Sequence, residues 1–188
     1  MNLSRYYPDD WLPSAYEIDY EDLFARGFRG IMYDIDNTLV NHGAPADDRS
    51  IELFRRLRGI GFATCLLSNN RKKRVEPFAR AVGSPFICLA NKPFVRNYLR
   101  ACEIMGTSEK TSVLVGDQLF TDVWGSRRAG IYSILVQPLN PKEEIQIVLK
   151  RKLERIVLNS YKKEMKKLGR TDFPEGTFQS GREINVEK

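Results

Sequence analysis

The stretch Ile31-Met32-Tyr33-Asp34-Ile35-Asp36-Asn37-Thr38-Leu39 limits the possible folds of this chain more than any other. A short apolar run ends in two carboxylates one residue apart, followed by a hydroxyl. Such a run reads as a buried parallel strand, so the acids sit where the strand emerges at its carboxyl end. Open α/β sheets bind their ligands at that edge. Alternation turns Asp34 and Asp36 to one side and Ile35 to the other. Two carboxylates this close resist ionising together unless a cation lies between them or one holds a proton. The pair therefore points to a metal site, to a nucleophile and acid, or to both.

The rest of the core repeats the unit of strand, turn and amphipathic helix. After a loop over Asn41 to Arg49, a helix carries Ile51, Leu53, Phe54, Leu57 and Ile60 and stops at Gly61. Phe62 to Leu67 reads as a strand, with a helix around Val75, Phe78, Ala79 and Val82 ending at Gly83. Phe86 to Ala90 is a shorter strand. The following helix opens at Pro93, turns Tyr98, Leu99, Cys102 and Met105 inward and ends at Gly106. Ser112 to Gly116, Leu119 to Ala129 and Ile131 to Val136 then read as strand, helix and strand. Alternation of this kind implies parallel strands joined by right-handed helical crossovers: five strands in one α/β sandwich.

The flanks differ in character. Residues 1–29 are a lead-in, aromatic and Pro-rich at first, then a short helix with Asp19 as N-cap, Leu23 and Phe24 buried and Gly27 as stop. Residues 30–140 form the core. Residues 141–170 read as a basic amphipathic helix, with Ile145, Val148, Leu149, Leu153, Ile156, Val157, Tyr161, Met165 and Leu168 at helical spacing. Residues 171–188 are polar and aperiodic, which predicts a disordered tail. The formal charge of +6 is a C-terminal property, because residues 150–170 hold nine Lys/Arg against two acids. That helix could pack a stripe on the core under a solvated charged face, or lie on anionic membrane through residues 145–170. Nucleic acid ranks last, since Tyr161 is the only aromatic residue interleaved there.

Cys65, Cys88 and Cys102 are odd in number and widely spaced, so free thiols in a reducing compartment are expected. Residues 1–8 lack the apolar stretch of a signal peptide, and no run reaches the ~18 residues a spanning helix needs. These features predict a cytoplasmic chain, with membrane contact limited to its periphery.

Four motifs close four successive strands: Asp34-x-Asp36-x-Thr38, Ser68-Asn69-Asn70, Lys92-Pro93, and Gly116-Asp117-Gln118-Leu119-Phe120-Thr121-Asp122. In this order they resemble the haloacid-dehalogenase (HAD) superfamily phosphatases, over about residues 30–137. Asn91-Lys92-Pro93, Arg128-Ala129-Gly130-Ile131-Tyr132, the lead-in from Pro8-Asp9 to Leu23, and Arg151-Lys152-Leu153-Glu154 narrow the resemblance to the YqeG group of HAD subfamily IIIA. The chain is also similar to the mitochondrial phosphatidylglycerophosphate phosphatases, which share the Asp-x-Asp-Asn-Thr core.

The resemblance implies a HAD-like Rossmannoid three-layer sandwich and a phosphoric monoester hydrolase working through an aspartyl-phosphate. It makes Asp34 the nucleophile and Asp36 the general acid and base, with Thr38 orienting Asp36. Ser68, Asn69 and Lys92 would hold the phosphoryl oxygens, Lys92 as a point charge. Mg²⁺ would be bound by Asp34, the main-chain carbonyl of Asp36 and Asp117, with Asp122 near a metal-bound water or Lys92. A phosphorylated lipid head group is one implied substrate.

Only 34 positions separate Asp34 from Ser68, and 24 separate Ser68 from Lys92, which leaves no room for a cap domain. Two other functions remain open: a soluble phosphatase for sugar or nucleotide phosphates, and a non-catalytic scaffold binding RNA, ribosomes or membrane. His42, the only histidine, reads as a solvated loop residue ahead of a substrate contact, and Thr121 as structural. Asn70, Arg71, Lys72 and Lys73 read as a solvated helix start.

Overall fold

The computed structural model describes residues 3–140 and 145–174, with side chains throughout except at 145–152. The strands are β1 (Asp10–Leu12), β2 (Gly30–Tyr33), β3 (Ala63–Leu67), β4 (Phe86–Ile87), β5 (Ser112–Gly116) and β6 (Tyr132–Val136). The helices are α1 (Tyr20–Ala25), α2 (Asp48–Ile60), α3 (Lys72–Val82), α4 (Arg96–Met105), α5 (Trp124–Arg128) and α6 (Ile145–Lys167).

The strands form one parallel sheet in the order β1-β6-β5-β2-β3-β4. β2 lies at its centre, every residue buried, in register with β3 (Met32 beside Cys65) and β5 (Met32 beside Leu114). Its alternation separates two cores. Ile31 and Tyr33 join Leu23, Phe54, Leu57 and Phe78 beneath α1, α2 and α3. Met32 joins Cys65, Leu67, Tyr98, Cys102 and Leu114 beneath α4. The result is a three-layer α/β sandwich, and the intervals from Asp34 to Ser68 and from Ser68 to Lys92 hold only α2 with β3 and α3 with β4.

Local rules account for the helices around the site. Asp47 and Ser50 form a reciprocal capping box at the start of α2, and Gly61 closes it at φ 111°. α3 buries Val75, Phe78, Ala79 and Val82 on one face and stops at Gly83.

Several expectations are corrected. The sheet has six strands, because β1 lies inside the lead-in and pairs with β6, Trp11 beside Leu135. Three residues between Pro8 and Pro13 are too short to show a period of two. The third core strand ends at Ile87, and α4 begins at Arg96, three residues after Pro93. Leu99 is 39% exposed, about 100° around α4 from buried Tyr98. The helix expected from Leu119 opens as a wide, π-type turn over Leu119–Val123 before α5.

α6 is fastened to the core. Val157, Leu158 and Tyr161 are buried against Tyr7, Trp11, Leu119, Val123 and Leu135, while Leu153 and Ile156 face outward. Glu154 is buried as well, and its Oε1 accepts the Leu119 N–H at 3.0 Å. Phe173 packs back onto Trp11 and Tyr161. Residues 175–188 of the expected tail lie outside the described residues. Cys65, Cys88 and Cys102 are free thiols. No described helix is long and apolar enough to cross a membrane.

Tyr161→Ala should destabilise the whole fold by about 3 kcal/mol in urea unfolding, because a buried ring is removed from a packed cluster. A loss near zero would show that α6 is not part of the cooperative core.

Candidate active site

The carboxyl ends of β2, β3 and β5 and the turn after β4 converge on a cleft of about 110 Å³. It is lined by Asp34, Asp36, Asn37, Ser68, Lys92 and Gln118, among others, with exposed His42 at its rim. That volume is a few water molecules' worth and well below a typical small-molecule pocket, so it suits a phosphoryl-sized group rather than a whole metabolite. A larger cleft of about 370 Å³ by Phe28, Lys110 and Ile131 lies at the opposite, amino ends of the strands.

Lys92 organises the centre. Its side chain is 4% exposed, and its Nζ donates to Asp34 Oδ1 at 2.7 Å and to Asp122 Oδ1 at 2.6 Å. Asp34, Asp117 and Asp122, all buried, each offer an oxygen within 4.8 Å of the others. Three carboxylates against one ammonium leave a formal charge of −2, which one divalent cation would cancel. The donor set is oxygen only, and no described backbone N–H donates to the Asp36 carbonyl. Such a set fits a hard cation of the Mg²⁺ type.

The Asp34 carboxyl is raised to about 7: burial pushes it up, Lys92 pulls against that, and the Asp122 and Asp117 charges add to the rise. Burial alone would lower the Lys92 ammonium, but Asp122 and Asp34 hold it protonated well above the usual range. One ammonium shared among three acids leaves Asp34 short of positive charge.

Each neighbour is set by the backbone around it. Gly116 closes β5, and a Cβ there would lie 2.5 Å from the Asp122 Cγ, so only glycine lets that carboxylate fold back over the strand end. Asp122 Oδ2 also accepts the Gln118 N–H at 3.1 Å. The Asn69 side chain brackets the Lys92 backbone, its Oδ1 accepting the Lys92 N–H at 2.8 Å. Ser68 is buried, and its Oγ accepts the Asn70 N–H at 3.2 Å. Asn37 adopts φ 63°, and its Oδ1 is buried beside the cleft without a described donor.

Two expected contacts differ. Thr38 Oγ1 donates to Asp117 Oδ1 at 3.4 Å rather than to Asp36. Asp36 lies outside the three-carboxylate group and is gripped by Arg74 Nη2 at 2.7 Å, Asn70 Nδ2 at 2.7 Å and the Gly43 N–H at 2.8 Å. Arg74, on the first turn of α3, is a partner of Asp36 that the sequence did not indicate. Asn70 is a partner of Asp36 and not merely a solvated helix start.

A HAD-hydrolase-like family model matches residues 89–138. The chain is 36% identical over 160 residues to a probable phosphatase, YqeG, of Bacillus subtilis (strain 168), covering 85% of this chain and 93% of that protein. The chain belongs to the YqeG-type phosphatases of the HAD-like hydrolase family. This YqeG-type chain is also 27% identical over 164 residues to phosphatidylglycerophosphate phosphatase 1, chloroplastic, of Chlamydomonas reinhardtii. That match covers 81% of this chain but 61% of the algal protein, less than two thirds of its length. An uncharacterized protein from Listeria monocytogenes serotype 4b shares the fold, with a TM-score of 0.51, 16% identity, and coverage of 63% of this chain and 85% of that one.

The raised Asp34 pKa has a measurable sign. The folded carboxyl keeps its proton where the unfolded one, at 3.8, has lost it. Metal-free protein should therefore lose stability as pH rises from about 4 to about 7. Asp34→Asn, with Asp122 still paired to Lys92, should melt higher than wild type at pH 8 in chelator, and the gap should close towards pH 4. A variant melting lower at pH 8 would show that Lys92 already stabilises the ionised Asp34.

Proposed function

We propose that this YqeG-type phosphatase is a Mg²⁺-dependent phosphomonoester hydrolase working through a phosphoryl group carried on Asp34, with a phospholipid monoester of the phosphatidylglycerophosphate kind as substrate. The observation that carries the catalytic part is the buried Lys92 between Asp34 and Asp122 in a three-carboxylate group. In this reading an Asp34 oxygen attacks phosphorus, the bond from phosphorus to the leaving oxygen breaks, and that oxygen takes a proton from Asp36. Water then attacks phosphorus, Asp36 takes its proton, inorganic phosphate leaves and the Asp34 carboxylate is restored.

Lys92 meets one equatorial oxygen as a fixed charge, and the Ser68 hydroxyl and Asn69 N–H serve the others. Asp34, Asp117 and the Asp36 carbonyl would hold Mg²⁺, with Asp122 beside it. Bound there, the ion would supply charge to offset the crowded carboxylates and the phosphoryl oxygens. Asp36 as held by Arg74, Asn70 and Gly43 only accepts hydrogen bonds. Carrying a proton requires that it turn from Arg74 towards the leaving oxygen.

The substrate part rests on different support. The cleft suits a phosphoryl group, and among the described residues no cap lies over it to enclose the remainder of a small ester. An open groove of about 480 Å³ along Leu39, Val40, Ala44, Pro45 and Leu139 shares the 37–44 loop with the cleft and leaves space for a bulky ester. The algal relative is by its name a phosphatidylglycerophosphate phosphatase.

The test is a Mg²⁺-dependent phosphate-release screen that sets phosphatidylglycerophosphate beside sugar, nucleotide and aryl phosphates. The lipid should be preferred, and Asp34→Asn should lose at least ~10³-fold in aryl phosphate turnover while remaining folded. Strong preference for a sugar or nucleotide phosphate would overturn the lipid assignment. Undiminished turnover by Asp34→Asn would overturn the nucleophile.

A further inference from the structure

Two large apolar side chains stand exposed on either side of Lys92. Leu89 is 54% exposed and Phe94 is 67% exposed, in the turn that runs from β4 to α4. Leu89 has φ 48°, a conformation unfavourable for a leucine, held by its N–H donating to the Asn70 carbonyl at 2.9 Å. Phe94 is tied back in the same way, its N–H donating to Asn91 O at 2.9 Å. Exposed hydrophobes scattered singly need no explanation. Two on one braced turn, close in sequence to the cleft residue Lys92, do, because water contact at both is unfavourable and neither closes a core.

Along the two chain segments that carry and flank them the charge has one sign, although Lys92 and Arg74 are spent on Asp34, Asp122 and Asp36. Residues 68–75 and 88–102 contain seven cations and no carboxylate. Arg71, Lys72, Lys73 and Arg96 are exposed there, and among these Lys72 meets Glu76 at 3.6 Å, while Arg71, Lys73 and Arg96 make no ion pair with a described carboxylate. The two segments form one edge. Asn69 brackets the Lys92 backbone, Asn70 holds Leu89, and Arg128 Nη1 donates to the Pro93 carbonyl at 3.4 Å. α6 also exposes Leu153 and Ile156, but none of its described residues lines the cleft, whereas Asn70 and Lys92 of these two segments do.

We propose that the β3–β4 corner of the catalytic edge docks on an anionic lipid bilayer, Leu89 and Phe94 entering the interface while Arg71, Lys73 and Arg96 meet the head groups. Projecting side chains on a turn need a deformable phase rather than a shaped pocket, and unpaired cations need only a negative surface potential. Docked at this edge, the cleft holding Asp34, Ser68 and Lys92 opens onto the bilayer surface, within reach of a phosphate monoester in the head-group layer. The proposal rests on the reading of the substrate as a membrane phospholipid, and its test separates the two.

The full chain is sedimented with vesicles of phosphatidylcholine alone or mixed with phosphatidylglycerol, without substrate, and aryl phosphate turnover is measured in parallel. The wild type should bind only the anionic vesicles and release at high salt. Phe94→Ser, and Leu89→Asn, which suits the positive φ, should each weaken partitioning about tenfold. Arg71→Gln and Lys73→Gln should each weaken it about fivefold. Aryl phosphate turnover and the melting temperature should stay at wild-type values in all four variants. Absence of wild-type binding to anionic vesicles would overturn the docking, as would unaltered binding of the Phe94 and Leu89 variants. Loss of binding through Lys163→Gln with Lys167→Gln on α6 instead, or retention of RNA in place of vesicles, would overturn it too. Vesicle binding that follows the prediction without release of phosphate from phosphatidylglycerophosphate in detergent micelles would overturn the substrate reading alone.

Discussion

The rest of the site depends on one buried ammonium. Lys92 stands between Asp34 and Asp122, with Asp117 close by, at the point where β2, β5 and the β4 turn meet. Like charges gathered away from water repel strongly, so these three carboxylates persist together only because a cation is fixed among them. Everything nearby serves that placement. Gly116 admits Asp122, Asn69 pins the Lys92 backbone, and Asp34 is fastened to β5 by its N–H donating to Val115 O at 3.0 Å. The remaining negative charge would suit a second cation, and without one Asp34 is reluctant to ionise.

A second dependence runs through the flanks. The loop after β5 that carries Asp117 and Asp122 rests on elements far away in sequence, since Leu119 and Val123 pack with Trp11 of β1 and Tyr161 of α6. Glu154 takes the Leu119 N–H two residues from Asp117, so α6 steadies the backbone that carries Asp117 and Asp122. Removing everything after Asn140 would strip Trp11, Leu119, Val123 and Leu135 of cover, and loss of activity in such a truncation would report on folding before it reported on membrane contact.

Features written in local chemistry were legible in the sequence. An apolar run followed by Asp34 or Asp117, or a Gly after a periodic stretch, marks a strand end or a helix stop whatever the surroundings, and the parallel order follows from alternation. β1 was hidden because three residues between prolines carry no period, and its pairing with β6 spans most of the chain. The clamp on Asp36 was hidden for another reason. Arg74 and Asn70 meet it only because α3 starts directly over the end of β2, a matter of crossover geometry that spacing does not reveal. Leu153 and Ile156 share the periodic stripe with Val157 and Tyr161 yet face water, since the surface under α6 is narrower than the stripe.

The Asp34–Asp117–Asp122 group around Lys92 has the charge and donor set of a divalent-cation site. The most direct test is titration of the full chain with Mn²⁺, followed by electron paramagnetic resonance as a visible stand-in for Mg²⁺. One ion should bind per chain and be displaced by Mg²⁺, and Asp117→Asn should weaken binding by an order of magnitude or more while the chain stays folded. Equal binding by wild type and Asp117→Asn, or no binding by wild type, would contradict the account.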